Sequence, residues 1–393
     1  MLLRTNKYRT IALLSFILVL AAAVCASIVY GYTNTSWSMA YKAFTGFSGS
    51  NEHLVIKNVR LPRALIAATV GASLGGAGAL MQAMTKNPLA SPGIFGVNAG
   101  AGFFVVGALF FFHVGSLQTI AWISFFGAAF AALVVYFVGS LGREGLTPVK
   151  LTLAGAAMSA LFSSLTQGML SVNEAALEQA LFWLAGSVQG RDLSLLVSVL
   201  PYIVPAFIIS FLLGSKINVL TMGEEVAKSL GQKTWLIKAL MAVSIVLLAG
   251  GSVAVAGPIG FIGIVIPHFA KFIVGHDHRW VLPYCAVLGA ILLVTADIGA
   301  RYLIMPEEVP VGVMTAIIGT PIFVYIARRG SKNEKLPHAE NRKRRHFTVD
   351  RQKSAVFVHD PIGVDGLCRR PQRRHRRTFY FAGSRRENVF GHG

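Results

Sequence analysis

The side chains of this sequence that could do chemistry are few, and most stand at the edges of long apolar runs. Asp297 lies inside one such run, four residues before Arg301. A carboxylate within an apolar span is a functional candidate by default. One helical turn separates it from Arg301, however, so a local ion pair is the simpler account. His276 and His278 flank Asp277 in a short loop, and alternate residues of a loop can converge on an ion. No further Cys, His or carboxylate cluster completes the shell that a transition metal wants, and a polar turn at a membrane surface explains the triplet more simply. Cys25, Cys285 and Cys368 stand far apart and form neither a disulfide framework nor a metal-ligand spacing. The sequence contains no G-x-x-x-x-G-K-[ST] phosphate loop, no H-E-x-x-H and no G-x-S-x-G elbow. No catalytic residue is therefore assigned, no metal site is expected, and any ATP energy must come from a partner.

Three polar segments remain to be explained. In Gly223-Glu-Glu-Val-Ala-Lys-Ser-Leu-Gly231, Glu224 and Glu225 favour the first turn of a helix, Lys228 its later turn, and Gly231 can stop it. One or two turns of helix between glycines suit a bare connector, and equally a mechanical contact to a partner. Arg60-Leu-Pro-Arg63 opens an apolar span, with Pro62 at a helix start and the two arginines on one face. They read either as arginines snorkelling to headgroups or, with Arg301, as a basic patch for an acidic partner. Ser159, Ser163 and Gln167 recur at spacings of four, on one side of a helix. They could line a path or form interhelical hydrogen bonds.

The elements that must position these residues are membrane spans. Of 393 residues 54% are hydrophobic and 13% charged, against about 25% charged in soluble domains. Mean hydropathy is +0.60 despite a polar final segment. A hydrocarbon core needs about 20 apolar residues per helix, and ten apolar stretches, several punctuated by Gly or Pro, are read as spans: 11–30, 61–84, 94–112, 117–139, 149–170, 194–214, 235–255, 261–275, 281–300 and 310–327. The fold class is an all-α polytopic membrane protein of about ten transmembrane helices. Arg4, Lys7 and Arg9 precede the first span and predict a cytoplasmic N-terminus; ten spans return the C-terminus to the same side. In that arrangement Lys42, Lys57, Arg60, Arg63, Arg191 and Arg301 fall outside, and the other fourteen basic residues up to Arg329 fall inside. A cleaved leader is the rival reading of 11–30, but its apolar region would span about 7–15 residues. Gly71, Gly75, Gly76 and Gly78 make a small-residue face suited to close helix packing, within one bundle rather than between subunits. No internal repeat is evident.

At this point the residues resemble a family. Arg60-Leu-Pro-Arg63, Gly78-Ala-Leu-Met-Gln82, Asn87-Pro-Leu-Ala-Ser-Pro92, Leu153-Ala-Gly155, Gly223–Gly231, Pro258-Ile-Gly-Phe-Ile-Gly263, Pro267-His-Phe-Ala270, Asp277-His-Arg279 and Pro310–Gly319 are similar, in order, to the FecCD family. Those proteins are permease subunits of ABC importers for iron(III)-siderophores, haem and cobalamin. The resemblance covers about residues 1–330. It implies a dimer with a second permease subunit, identical or related, in the cell membrane. It implies two cytoplasmic ABC ATPase subunits that use ATP and Mg, with no cofactor bound by this chain, and an extracytoplasmic substrate-binding protein. Residue by residue, Gly223, Glu224, Glu225, Val226, Ala227, Leu230 and Gly231 match the family's coupling helix. Arg60, Arg63 and Arg301 match its binding-protein docking positions, and Thr147 falls near its cytoplasmic gate, beside Pro148. Iron(III)-siderophore is the expected cargo, with haem or cobalamin as the alternative.

Residues 331–393 are a different material. They hold 16 of the 36 Lys/Arg and 6 of the 17 Asp/Glu, with runs at 342–345 and 373–377. An out-of-frame translation, a disordered tail lying on anionic lipid and a nucleic-acid segment are the three readings, and no nucleic-acid partner is expected. A secondary transporter or channel is the alternative of a different class. Proton or sodium coupling would call for paired carboxylates within the spans, which are missing.

Overall fold

The computed structural model describes residues 2–3, 5–31, 35–141, 147–305, 307–326 and 328, all in the unit Met1–Lys332; the expected tail 331–393 lies outside the described residues. The described chain is almost wholly helical. Its first half contains α1 (Asn6–Val29), α2 (Trp37–Thr45), α3 (Asn51–Val55), α4 (Leu61–Thr85), α5 (Val97–Phe112), α6 (Leu117–Ser140) and α7 (Pro148–Val172). There follow α8 (Glu174–Leu184), α9 (Leu193–Met222), α10 (Glu224–Ser229), α11 (Thr234–Ala256), α12 (Ile262–Val274), α13 (His278–Tyr302) and α14 (Val311–Ile326).

Each of the ten expected spans corresponds to an apolar helix. Seven are long enough to cross a membrane, with α3 and α4 joined through a π-helical turn at Ile56–Arg60 into one rod of 35 residues. The other three, α5, α12 and α14, are shorter. At about 1.5 Å per residue the 13 residues of α12 fall short of the hydrocarbon core, and the 257–261 segment that precedes it is tucked inward with Ile259 buried. Non-helical backbone at membrane depth is tolerated where protein covers it.

Helix α4 is the hub, packed against α13, α11, α12 and α9. Its glycines set those distances: a Cβ at Gly71 would lie 2.3 Å from the carbonyl oxygen of Gly289, and one at Gly78 would lie 2.1 Å from that of Gly263. The small-residue face is thus used inside the bundle. A second group, α5, α6 and α7, packs together and joins the hub through α11. Peripheral α1 shows most of its apolar surface outward, as a lipid-facing helix does.

Helices α2, α3 and α8 have no counterpart among the ten expected stretches. They are short: α8 buries Ala180 and Trp183, and α2 turns Ala40 and Ala43 inward and leaves Trp37, Tyr41 and Phe44 exposed. Such aromatics suit a membrane–water boundary. Ser36 caps α2, its side chain accepting from the amide of Met39 at 3.2 Å.

Candidate functional site

The connection between α9 and α11 folds as the six-residue α10. Gly223 (φ 142°) and Gly231 (φ 77°) take left-handed-side conformations that side chains disfavour, so both glycines are needed to turn the chain in and out of this helix. Glu224 braces it. Its carboxylate accepts from Lys238 Nζ of α11 at 2.6 Å and meets Lys228 Nζ at 3.3 Å. The hydrogen bond from Lys238 holds the Glu224 carboxyl below the usual range, against a smaller opposing effect of burial. Ala227 is fully buried beneath, and Gln232 Nε2 donates to the carbonyl of Lys216 at 2.9 Å. Outward, α10 presents Val226, 43% exposed, and Leu230, 67% exposed. Apolar side chains held outward on a braced helix make a contact surface that nothing among the described residues covers.

The three arginines are buried in the chain. Arg60, Arg63 and Arg301 are 4%, 7% and 3% exposed. Arg63 Nε donates to both oxygens of the fully buried Asp297 at 3.0 Å, its Nη2 to Oδ1 at 2.8 Å, and its Nη1 to Glu308 Oε2 at 2.6 Å. Arg301 donates to the same Asp297 and to the carbonyls of Ser27 and Tyr30 at 2.7 and 2.8 Å. Arg60 donates to the carbonyl of Val29 and, at 2.6 Å, to Thr35 Oγ1. The last carbonyls of a helix lack intrahelical partners and carry the negative end of its dipole. Two guanidiniums therefore clamp the end of α1, and Asp297 fixes one of them to Arg63 of α4. The expected local pair Asp297–Arg301 exists as part of this larger network, which sequence spacing could not reveal because Arg63 is 234 positions away. The hydrogen bonds named here for these three cations are made inside the chain.

The expected path residues share α7. Ser163 and Gln167 are exposed, Ser159 is partly buried, and none of the three has a hydrogen bond to another helix among the described residues. Ser164 and Ser171, not singled out from the sequence, are exposed as well. A polar exposed face on a membrane-length helix is poorly suited to hydrocarbon. The signal for it was present in the recurrence of Ser, Gly and Gln through 159–171. Thr147 caps α7, its hydroxyl accepting from the amide of Lys150 at 3.3 Å ahead of Pro148.

The 276–278 triplet is a helix start. Asp277 accepts from the amide of Arg279 at 3.1 Å, pairs with its guanidinium at 2.8 Å, and accepts from Asn218 Nδ2 of α9 at 2.6 Å. These bonds, led by that from the Arg279 guanidinium, hold the Asp277 carboxyl down at about 2. Asn218, another residue that sequence reasoning passed over, ties α9 to α13: it also meets His278 Nδ1 at 2.9 Å.

Known proteins match this arrangement along most of the chain. The probable siderophore transport system permease protein YfiZ of Bacillus subtilis strain 168 is 68% identical over 332 residues, which cover 84% of this chain and all of that protein. The ferric enterobactin transport system permease protein FepD of Escherichia coli is 39% identical over 324 residues, 82% of this chain and 97% of its own. A solved chain, described as an inward-facing conformation of a metal-chelate type ABC transporter, superposes with a TM-score of 0.70 at 29% identity, covering 81% of this chain and 99% of its own. The family model matches residues 18–329, from the middle of α1 past the end of α14, and on that match the chain belongs to the FecCD transport family.

Proposed function

We propose that this multi-pass membrane protein is the permease subunit of an importer that takes up iron(III)-siderophore complexes, driven by ATP hydrolysed in a partner subunit. The observation that carries the cargo is the 68% identity, over its whole length, to a Bacillus subtilis protein described as a probable siderophore permease. The chain lies in the cell membrane with both termini cytoplasmic, pairs with a second permease subunit, rests on two ABC ATPase subunits and receives cargo from an extracytoplasmic binding protein. The cargo path runs along the exposed Ser163, Gln167 and Ser171 face of α7.

Coupling follows from linkage. ATP binding must favour one arrangement of the permease pair, and the loaded binding protein must interact differently with the two arrangements, or neither could drive the other. The braced α10, with Val226 and Leu230 outward, is the rigid contact through which an ATPase would transmit that difference. Glu224→Arg with Leu230→Asp unbraces α10 and charges its contact face. The expected result is loss of siderophore uptake together with loss of the co-purifying ATPase, while the variant still reaches the membrane. Normal uptake with the ATPase still bound would contradict the coupling assignment.

A further inference from the structure

The end of α9 is held on two sides. Toward α10 it continues through Gly223, and its Lys216 carbonyl accepts from Gln232 Nε2, just beyond α10, at 2.9 Å. Toward α13 it carries Asn218, whose Nδ2 donates to Asp277 Oδ1 at 2.6 Å while its Oδ1 accepts from the His278 amide at 2.8 Å and from His278 Nδ1 at 2.9 Å. One turn earlier a Cβ at Gly214 would lie 3.1 Å from the Cα of Arg279, so the two backbones approach closely at the same point. Among the described residues no other side-chain hydrogen bond joins α9 to another span. Apolar helix ends can slide past one another, whereas oriented hydrogen bonds across a close backbone contact fix its register. Helix α13 in turn carries α1. Tyr284 Oη donates to the Arg9 carbonyl at 2.7 Å near the start of both helices, and Arg301 donates to the Ser27 and Tyr30 carbonyls near the end of both. From Asp277 to Arg301 the helix rises about 35 Å.

We propose that Asn218 is a positioning residue that fastens α13 to the α10 end of α9, so that displacement of α10 by an ATPase moves α13 and α1 together and is felt at the buried Arg63–Asp297–Arg301 network. Coupling of this kind runs through rigid elements joined by packed contacts and hydrogen bonds. The inference rests on α10 being the ATPase contact and goes beyond it by naming the residue that passes the displacement on; it does not depend on which cargo is carried. Donor and acceptor can be exchanged across the contact. Asn218→Asp alone sets two carboxylates face to face, and Asp277→Asn added to it restores a donor opposite an acceptor, with the new amide oxygen still able to cap α13.

The test is hydrogen exchange by mass spectrometry on the full chain, purified with the subunits that accompany it, with and without ATP and vanadate. In the native complex the nucleotide changes exchange both in α10 and at the two ends of α13. In Asn218→Asp the α10 response remains and the α13 response falls by at least about fivefold, the lower end of the usual coupling between sites; adding Asp277→Asn restores it. A brace that serves stability alone would lower the thermal midpoint of Asn218→Asp and leave the nucleotide response of α13 intact, and that result overturns the proposal. So does a double variant whose midpoint recovers while its α13 response does not. The unaltered complex decides the matter even if Asn218→Asp fails to assemble: a response in α10 with none in α13 overturns the proposal without any variant. A native complex in which α10 itself ignores the nucleotide contradicts the ATPase-contact reading, and the inference falls with it.

Discussion

At the level of single residues the arginines decide more than their number suggests. Asp297 is fully buried between Arg63 and Arg301, and Glu308 supplies the second negative charge. Removing one member of such a network strands buried charge and costs about 3–5 kcal/mol. Asp297→Asn is therefore expected to lower the thermal midpoint in detergent sharply, whereas an exposed acid such as Glu225 changed to Gln leaves it within a degree or two; equal midpoints would contradict the network. Arg60→Glu with Arg63→Glu is expected to fail in the same way, as a less stable chain with a loosened α1, before any effect on partner binding is seen. Asp277 gives a pH signature. Its carboxyl is held at about 2, below the ordinary value of about 3.9, so its stabilisation is complete above about pH 4 and is lost as pH falls toward 2. The midpoint difference between the native chain and Asp277→Asn should shrink over that interval and be constant from pH 5 to 7.

At the level of elements, glycines and caps set the architecture. Because a Cβ at Gly78 would sit 2.1 Å from the Gly263 carbonyl oxygen, Gly78→Ala must push α4 and α12 apart, while Gly107→Ala meets nothing within 4 Å. Overpacking costs about 1–3 kcal/mol or more, so the first variant should express poorly or melt early and the second should match the native chain by circular dichroism. Seven of the ten apolar helices were legible in the sequence because twenty-residue apolar runs have few other uses in a folded chain, and the shorter α5, α12 and α14 because their apolar runs continue into the flanking turns. The α10 helix was legible too, since glycines, acids and a lysine stood in the order a helix wants. Helices α2, α3 and α8 were not: each is too short for an apolar run to announce it, and α2 is anchored by two alanines. The Arg63–Asp297 pairing and the Asn218–Asp277 tie were hidden for another reason. They join residues distant in the chain, and only the packing of α4 on α13 and of α9 on α13 brings them together.

At the level of the whole molecule, family membership extends to residue 329, and the basic segment beyond it has no counterpart in that match. If residues 331–393 arise from a shift of reading frame, the chain isolated from its host will have an intact mass other than 42.2 kDa; a mass of 42.2 kDa establishes the tail as genuine. The central claim concerns the remainder: a helical permease, braced at α10 for an ATPase and carrying iron(III)-siderophores. The most direct test is uptake of radioiron from defined ferric siderophores by host cells lacking this gene. The account predicts that uptake from at least one siderophore is lost and is restored by the native chain but not by Glu224→Arg with Leu230→Asp. Unchanged uptake of every ferric siderophore, together with loss of haem or cobalamin uptake, would contradict it.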